Sequence, residues 1–327
     1  MSITRIGLIG CGFMGRMHAN VYKQLPTAKL VACVDKNEET RSKYLEEFGL
    51  MAYATLEEML AGEELDAIDI CLPTYLHKDF SVRALEAGKH AFCEKPMAMN
   101  LAEADEMIAA RDRSGKALMI GHCIRFWPEY ALLKQIAEDG RYGQLLSLNL
   151  TRLAQFPSWS ADNWLADETK AGGGVLDMHI HDTDFALYLL GQPSHISSVG
   201  NVDEKGPSYA STTFSYPNSF VHLEGGWNFP AETPFRMTFR ANFESGAVFM
   251  DGGPMTIYEE GKKPFTPEFK KMEAQGGGNL SDLGGYYLEL EYFVDRIQKG
   301  LPLEVVTAES SRETLKMVLE EIRQIKG

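Results

Sequence analysis

The sequence predicts a two-part α/β protein: a doubly wound, mostly parallel sheet first, then an α+β part built on a mainly antiparallel, open sheet. Three observations predict it. Up to about residue 122, short continuously apolar segments alternate with amphipathic ones, the pattern of strands buried on both faces under crossover helices. A glycine-rich turn, Gly10-Cys-Gly12-Phe-Met-Gly15, directly follows the first apolar segment. Beyond residue 122 the apolar segments lengthen, and turns rather than helices join most of them.

The elements follow in order. Residues 5–9 read as the first strand, 14–24 as a helix, 30–34 as the second strand and 38–48 as a helix. A third strand is predicted over 67–72, a helix over 78–87, a fourth strand over 90–93, a helix over 101–113 and a strand over 117–120. In the later part a helix is predicted over 128–138 and a strand over 145–153, followed by a loop rich in Trp, Pro, Asp and Ser. Gly172, Gly173 and Gly174 lead into a helix reaching about Leu190. Strands are predicted over 209–216, 220–227, 235–243 and 247–250, with a turn at 251–253. Residues 260–280 read as an irregular loop, and 286–298 and 308–325 as closing helices. A chain of 327 residues is long for one hydrophobic core. The boundary is therefore drawn at 122: residues 1–122 form one domain and 123–327 the other, with the closing helices available to pack back on the first.

Composition narrows the function classes. Apolar residues at 44% and charged residues at 24% are ordinary for a soluble globular chain. The 46 acidic and 32 basic side chains leave a net charge of -14, which repels nucleic-acid backbones; no nucleic-acid partner is expected. No stretch approaches the ~20 apolar residues of a membrane span, and the N-terminus reads as a first strand rather than a signal peptide. Cys11, Cys33, Cys71, Cys93 and Cys123 include no Cys-x-x-Cys pair. Most lie in or beside predicted strands, so they read as buried thiols in a reducing, cytoplasmic setting. No metal motif is evident.

The glycine turn carries the first chemistry. In a strand–turn–helix context, Gly10 makes the tight turn, Gly12 leaves room for a pyrophosphate and Gly15 lets helix and sheet approach. The phosphates would meet backbone N–H groups at the helix start, beside Phe13 and Met14. This is the Rossmann-type dinucleotide-binding arrangement. Asp35 ends the second predicted strand, where a carboxylate accepts from adenosine ribose hydroxyls and repels a 2'-phosphate. That favours NAD over NADP. Lys36 and Arg41 follow closely and offset the repulsion, so NADP stays open, as does a merely solvated Asp35.

Asp177 and His181 are four apart in a predicted helix and share a face, with Asp184 three further on. The three glycines before them can bring backbone close to a ligand. His181 has the near-neutral pKa range of an acid/base, and Asp177 would orient it or hold a substrate hydroxyl. The same spacing also fits a capping aspartate and a core histidine. His179 points elsewhere and reads as structural. Lys95, in Glu94-Lys95-Pro96, follows the fourth predicted strand at the carboxyl edge of the sheet, where open α/β sheets bind ligands. It can donate to a substrate oxygen; a solvated lysine before proline is the plain alternative.

These residues carry a family resemblance. GCGFMG at 10–15, CLPTYLH at 71–77, EKP at 94–96 and GGGVLDMHIHD at 172–182 resemble the glucose-fructose oxidoreductase / inositol dehydrogenase family, Gfo/Idh/MocA. The likeness runs along essentially the whole chain. It implies that Lys95 orients the substrate and assists proton transfer, with Asp177 and His181 as its partners and His181 as general base in oxidation. It implies that Leu72, Pro73, Thr74 and His77 line the cofactor and that Glu94 approaches the nicotinamide ribose. It places substrate-contacting residues in 121–128, making His122, Arg125 and Trp127 candidates, although Phe126 and Trp127 suit domain packing equally. Trp159, Asp162, Asn163 and Trp164 are further candidates for a sugar-facing wall or a loop anchor. The resemblance also implies homodimers or homotetramers joined through the open face of the second sheet.

The expected activity is reversible hydride transfer between NAD(P) and a sugar, cyclic polyol or related hydroxy or keto compound. The rivals are an NAD-assisted glycoside hydrolase of the same fold and an inactive nucleotide-sensing regulator.

Overall fold

A computed structural model describes residues 3–158, 160–270 and 283–327. They divide into two compact units. The first holds the described residues of 1–126 and 271–312, the second those of 127–270 and 313–327.

In the first unit β1 (Thr4–Ile9), α1 (Phe13–Gln24), β2 (Ala28–Val34) and α2 (Glu38–Phe48) match the predicted order. Next come β3 (Met51–Tyr53) and α3 (Leu56–Gly62), which the hydrophobic pattern did not disclose. Then follow β4 (Ala67–Ile70), α4 (His77–Glu86), β5 (His90–Glu94), α5 (Leu101–Ser114) and β6 (Leu118–Gly121). The strand predicted as third is thus the fourth. The missed strand has three residues and no buried side chain, so it offers no apolar run to detect. The missed helix did carry a signal, the Thr55-x-x-Glu58 capping box, which forms as such.

All six strands are parallel, in the order β3-β2-β1-β4-β5-β6. The strand order reverses between β1 and β4, and because the strands are parallel the turns after β1, β4 and β5 gather at one carboxyl edge. The strand interiors are apolar on both faces: Ile6, Leu8, Ala32, Ile68, Ile70 and Phe92 are fully buried.

The second unit opens with α6 (Pro128–Asp139) and β7 (Leu145–Gln155), then α7 (Glu168–Ala171) and α8 (Ile180–Leu190). Six strands follow: β8 (His195–Asp203), β9 (Gly206–Ser215), β10 (Phe220–Phe229), β11 (Arg236–Phe243), β12 (Gly246–Met250) and β13 (Thr256–Glu259). The sheet order is β13-β12-β11-β7-β10-β9-β8. β7 and β10 are parallel; every other neighbouring pair is antiparallel. One face is apolar, with Leu148, Leu150, Phe214, Val221, Leu223 and Phe239 buried, and the alternate residues lie on the open face. Tyr130 of α6 packs edge-on against Phe185 of α8 and Phe239 of β11. The irregular loop expected over 260–280 lies partly outside the described residues; Phe265, within its described part, pairs with Ile257.

Two helices close the chain, α9 (Gly284–Lys299) and α10 (Ala308–Lys326). Leu290, Phe293 and Val294 of α9 join the core of the first unit, where Phe293 meets Phe92 edge-on. α10 belongs to the first unit as far as Arg312 and to the second from Glu313 onward.

Candidate active site

The glycine turn is built by close approach. Gly10 has φ 91°, and a Cβ there would lie 2.3 Å from the Cys71 carbonyl oxygen. At Gly15 a Cβ would lie 1.9 Å from the Gly10 carbonyl oxygen. A Cβ at Gly12 would meet nothing within 4 Å, and Gly12 caps α1 without a side chain. Gly10 and Gly15 therefore hold the turn together, and Gly12 keeps open the space before the helix N-terminus. A pyrophosphate fits that space, because the helix start is polarised towards negative charge. Phe13 is exposed and Met14 half-buried at its rim.

Asp35 braces the same turn. Its carboxylate accepts from the Cys11 N–H at 3.0 Å and from the Asn37 N–H at 2.8 Å. Arg41 does not pair with this carboxylate; its Nη1 donates to the carbonyls of Asp35 and Lys36 at 2.7 and 3.1 Å.

The turns after β4 and β5 are joined by His77. Its ring is fully enclosed, with Nδ1 2.7 Å from the Pro96 carbonyl and Nε2 2.7 Å from the Leu72 carbonyl. Burial pushes its pKa down, against the two carbonyls that favour the charged ring. The imidazole thus sits between the two loops, and in its neutral form donates to one of the two carbonyls, an arrangement that only the folded chain reveals. Leu72 and Pro73 are half-buried, and Thr74 is buried at the start of a short 3-10 turn, Thr74–Leu76. Glu94 is buried and accepts the Lys95 N–H on Oε2 at 3.2 Å, while the Lys95 side chain is half-buried.

In the second unit Gly173 and Gly174 approach neighbouring strands closely. Gly173 has φ 82°, and a Cβ there would lie 2.6 Å from the Pro207 carbonyl of β9. The chain then makes a π-helical turn, Val175–His179, before α8. Such turns recur at functional sites because they redirect side chains within a helix. Asp177 and His181 are half-buried. His179, Asp182 and Asp184 are buried, each with its own partner. His179 Nε2 lies 2.6 Å from Glu321 Oε2; burial works to lower its pKa, but the Glu321 carboxylate prevails and raises it. Arg152 donates to both Asp182 oxygens at 3.0 Å. Thr314 Oγ1 donates to Asp184 Oδ1 at 2.8 Å. Asp184, grouped with His181 by spacing, is therefore enclosed with a partner of its own, whereas Asp177 and His181 are half-buried.

Residues 4–122 match the sequence profile of an oxidoreductase family with an NAD-binding Rossmann fold, and residues 130–249 match the GFO/IDH/MocA C-terminal domain. The chain belongs to the GFO/IDH/MocA family. A myo-inositol 2-dehydrogenase of Thermotoga maritima is 34% identical over 190 residues, covering 58% of this chain and 55% of that one. A levoglucosan dehydrogenase of Pseudarthrobacter phenanthrenivorans is 32% identical over 216 residues, covering 61% and 54%. The chain thus spans little more than half the length of these relatives. An oxidoreductase from Agrobacterium radiobacter, crystallised with NAD+, L-tartaric acid and magnesium, superposes with a TM-score of 0.88 at 18% identity, covering 100% of this chain and 97% of that one. At that identity the likeness establishes the fold.

The remaining candidates of this GFO/IDH/MocA chain are dispersed. His122 is buried. Arg125 is also buried and donates to the Val305 carbonyl at 2.7 Å and to Ser310 Oγ at 3.2 Å, contacts that join it to the chain between α9 and α10. Phe126 packs on Tyr292, and half-buried Trp127 caps α6. Trp164 packs against the cluster of Leu165, Ala171 and Trp227. Asp162 and Asn163 are exposed, at φ 52° and 51°. Trp159 lies outside the described residues. Sequence reasoning passed over His18 and Asp69, which sit behind the Glu94 turn at 2.8 Å from each other. No local pattern marks them, because they come from different elements.

Proposed function

We propose that this chain is an NAD-dependent dehydrogenase acting reversibly on a sugar, a cyclic polyol or a related hydroxy or keto compound. The observation that carries the reading is the glycine turn, closed by Gly10 and Gly15 and left open at Gly12, in a chain of this family. NAD is preferred to NADP, because the Asp35 carboxylate at the end of β2 opposes a 2'-phosphate and Arg41 is engaged by main-chain carbonyls.

When bound, the nicotinamide accepts or supplies a hydride. The chain's own residues do the rest. Backbone N–H groups at the start of α1 hold the pyrophosphate, with Phe13 and Met14 at its rim. Leu72, Pro73 and Thr74 line the cofactor, and the Glu94 carboxylate accepts from the nicotinamide ribose. His181 takes the hydroxyl proton in oxidation and returns it in reduction. Lys95 donates to the oxygen on which charge develops, and Asp177 orients the substrate hydroxyl. His122 and Trp127 contribute to substrate binding.

The test is absorbance at 340 nm with purified protein, NAD+ or NADP+, and a panel of cyclic polyols, aldoses and sugar acids. A reproducible rise with one stereochemical group, larger with NAD+, is expected. No change with the panel, and none with the corresponding ketones and NADH, defeats the reading.

A further inference from the structure

Behind the Glu94-Lys95-Pro96 turn, four titratable side chains from four elements face one another out of water. His18 comes from α1, Asp69 from β4, Glu94 from β5 and Glu289 from α9, and none is more than 5% exposed. His18 Nδ1 lies 2.8 Å from Asp69 Oδ2, and His18 Nε2 lies 3.1 Å from Glu94 Oε1. A Glu289 oxygen stands within 4.8 Å of ligating atoms of both His18 and Glu94. Neither Glu289 oxygen has a hydrogen-bond partner among the described residues. Cys71 Sγ lies 3.2 Å from His18 Nδ1, and the Phe92 ring meets the imidazole edge-on at 5.5 Å.

Three buried carboxyl groups surround the His18 ring, with Lys95 and His77 also acting on Glu94, and this restricts where protons reside. A neutral imidazole has one N–H, and here a carboxylate stands at each ring nitrogen. Pairing with both carboxylates favours the doubly protonated ring; at Nε2 the contact with Glu94 is an ion pair by distance, not an aligned hydrogen bond. Burial is the largest single influence and opposes that charge, but Asp69 and Cys71 together outweigh it and raise the His18 pKa well above its usual value. Burial likewise raises the Glu289 carboxyl well above its usual range, with the Glu94 charge adding to the effect. A protonated Glu289 avoids a third buried negative charge beside His18.

We infer that His18 is a positioning residue: oriented by Asp69, it fixes the Glu94 carboxylate, whose other oxygen takes the Lys95 N–H, and so sets the geometry of the Glu94-Lys95-Pro96 turn. The inference rests on the roles proposed above for Glu94 and Lys95. His18 touches no substrate in this arrangement; it acts through Glu94. Its loss therefore weakens the grip on the nicotinamide half of the cofactor more than on the adenine half.

The experiment titrates the purified full chain with NADH and, separately, with ADP, which lacks the nicotinamide ribose. His18→Leu is expected to weaken NADH binding about ten-fold or more while ADP binding changes less than about two-fold. His18→Gln, which restores an N–H donor, is expected to recover part of the NADH affinity. An unchanged NADH affinity in His18→Leu overturns the inference, and so does an equal loss of NADH and ADP, the mark of general unfolding. If His18→Leu does not fold, nitrogen-15 NMR of the wild-type imidazole decides: protons on both ring nitrogens at neutral pH support the inference, and a neutral ring overturns it. Stoichiometric zinc in the purified chain, which would be held by His18, Glu94 and Glu289, overturns it as well. A wild-type chain that binds ADP but not NADH defeats the proposed function, and the inference with it.

Discussion

His179 and His181 stand two residues apart and end in opposite surroundings. His179 is enclosed against Glu321, while His181, like Asp177, stays half-buried. Two residues along a helix turn a side chain to a different face, which accords with this difference in burial. Replacing His181 with Asn, or Lys95 with Met, should lower kcat by ~10²–10⁴-fold, the usual range for a positioned proton-transfer group. NADH affinity should change only a few-fold by comparison. Steady-state kinetics beside a fluorescence titration checks this, and near-normal turnover in both variants rejects the assignment. Glu289 supports a second prediction. Its raised pKa in the folded chain means that folding takes up a proton, so the stabilisation is complete below the unfolded pKa of about 4.3 and is lost as pH rises through the raised folded value. Glu289→Gln removes that ionisation. Its melting temperature should fall less than that of the wild type between neutral and alkaline pH, and equal slopes would show Glu289 already ionised near neutrality. At this scale the short motifs single out Lys95, Asp177 and His181 as candidates for the roles proposed above. The fates of His77 and Asp184 were not legible in them, because the Leu72 and Pro96 carbonyls and the Thr314 hydroxyl reach them only through the fold.

Among elements, α8 shows how a site-bearing helix is held. Three buried ties fix the segment carrying Asp177 and His181: His179 with Glu321, Asp182 with Arg152, and Asp184 with Thr314. Thr183 Oγ1 adds a bond to Glu321 Oε1 at 2.9 Å. Removing one partner leaves the other charge buried and uncompensated. Arg152→Met should therefore cost about 3–5 kcal/mol of stability, read from the denaturant midpoint. Arg152→Met combined with Asp182→Leu should recover most of that loss; a double variant no more stable than the single one would contradict the account. Pattern reading succeeded for long amphipathic or alternating segments such as α2 and β9. It failed for β3, whose three residues are too few and too exposed for a periodic signal.

The whole molecule has two sheets with different exposure. The first is covered on both faces, as its continuously apolar strands require. The second has an open face carrying Phe220, Phe249 and Tyr258 at 49%, 36% and 41% exposure, with the last two rings 5.3 Å apart. We propose that copies of the chain associate through this face. Sedimentation velocity should then show a dimer or tetramer at micromolar concentration, and Phe249→Glu should weaken association about ten-fold or more. A monomer at all accessible concentrations would sink that proposal. Among the described residues no helix is long and apolar enough to cross a membrane.

Hydrophobic period, turn chemistry and short motifs are local, and they sufficed for the α/β class, the strand–turn–helix at Gly10–Gly15 and the open second sheet. They also sufficed for the family to which the chain belongs. The buried partners are a different matter. That Asp69 and Glu94 flank His18, that Glu321 takes His179, and that α9 adds its apolar face to the first unit are contacts between residues tens to hundreds of positions apart. One amino-acid sequence contains no spacing rule for such pairs. They form because each buried charge or donor must find a partner once water is excluded, and the packing of helices on the two sheets decides which partner lies within reach.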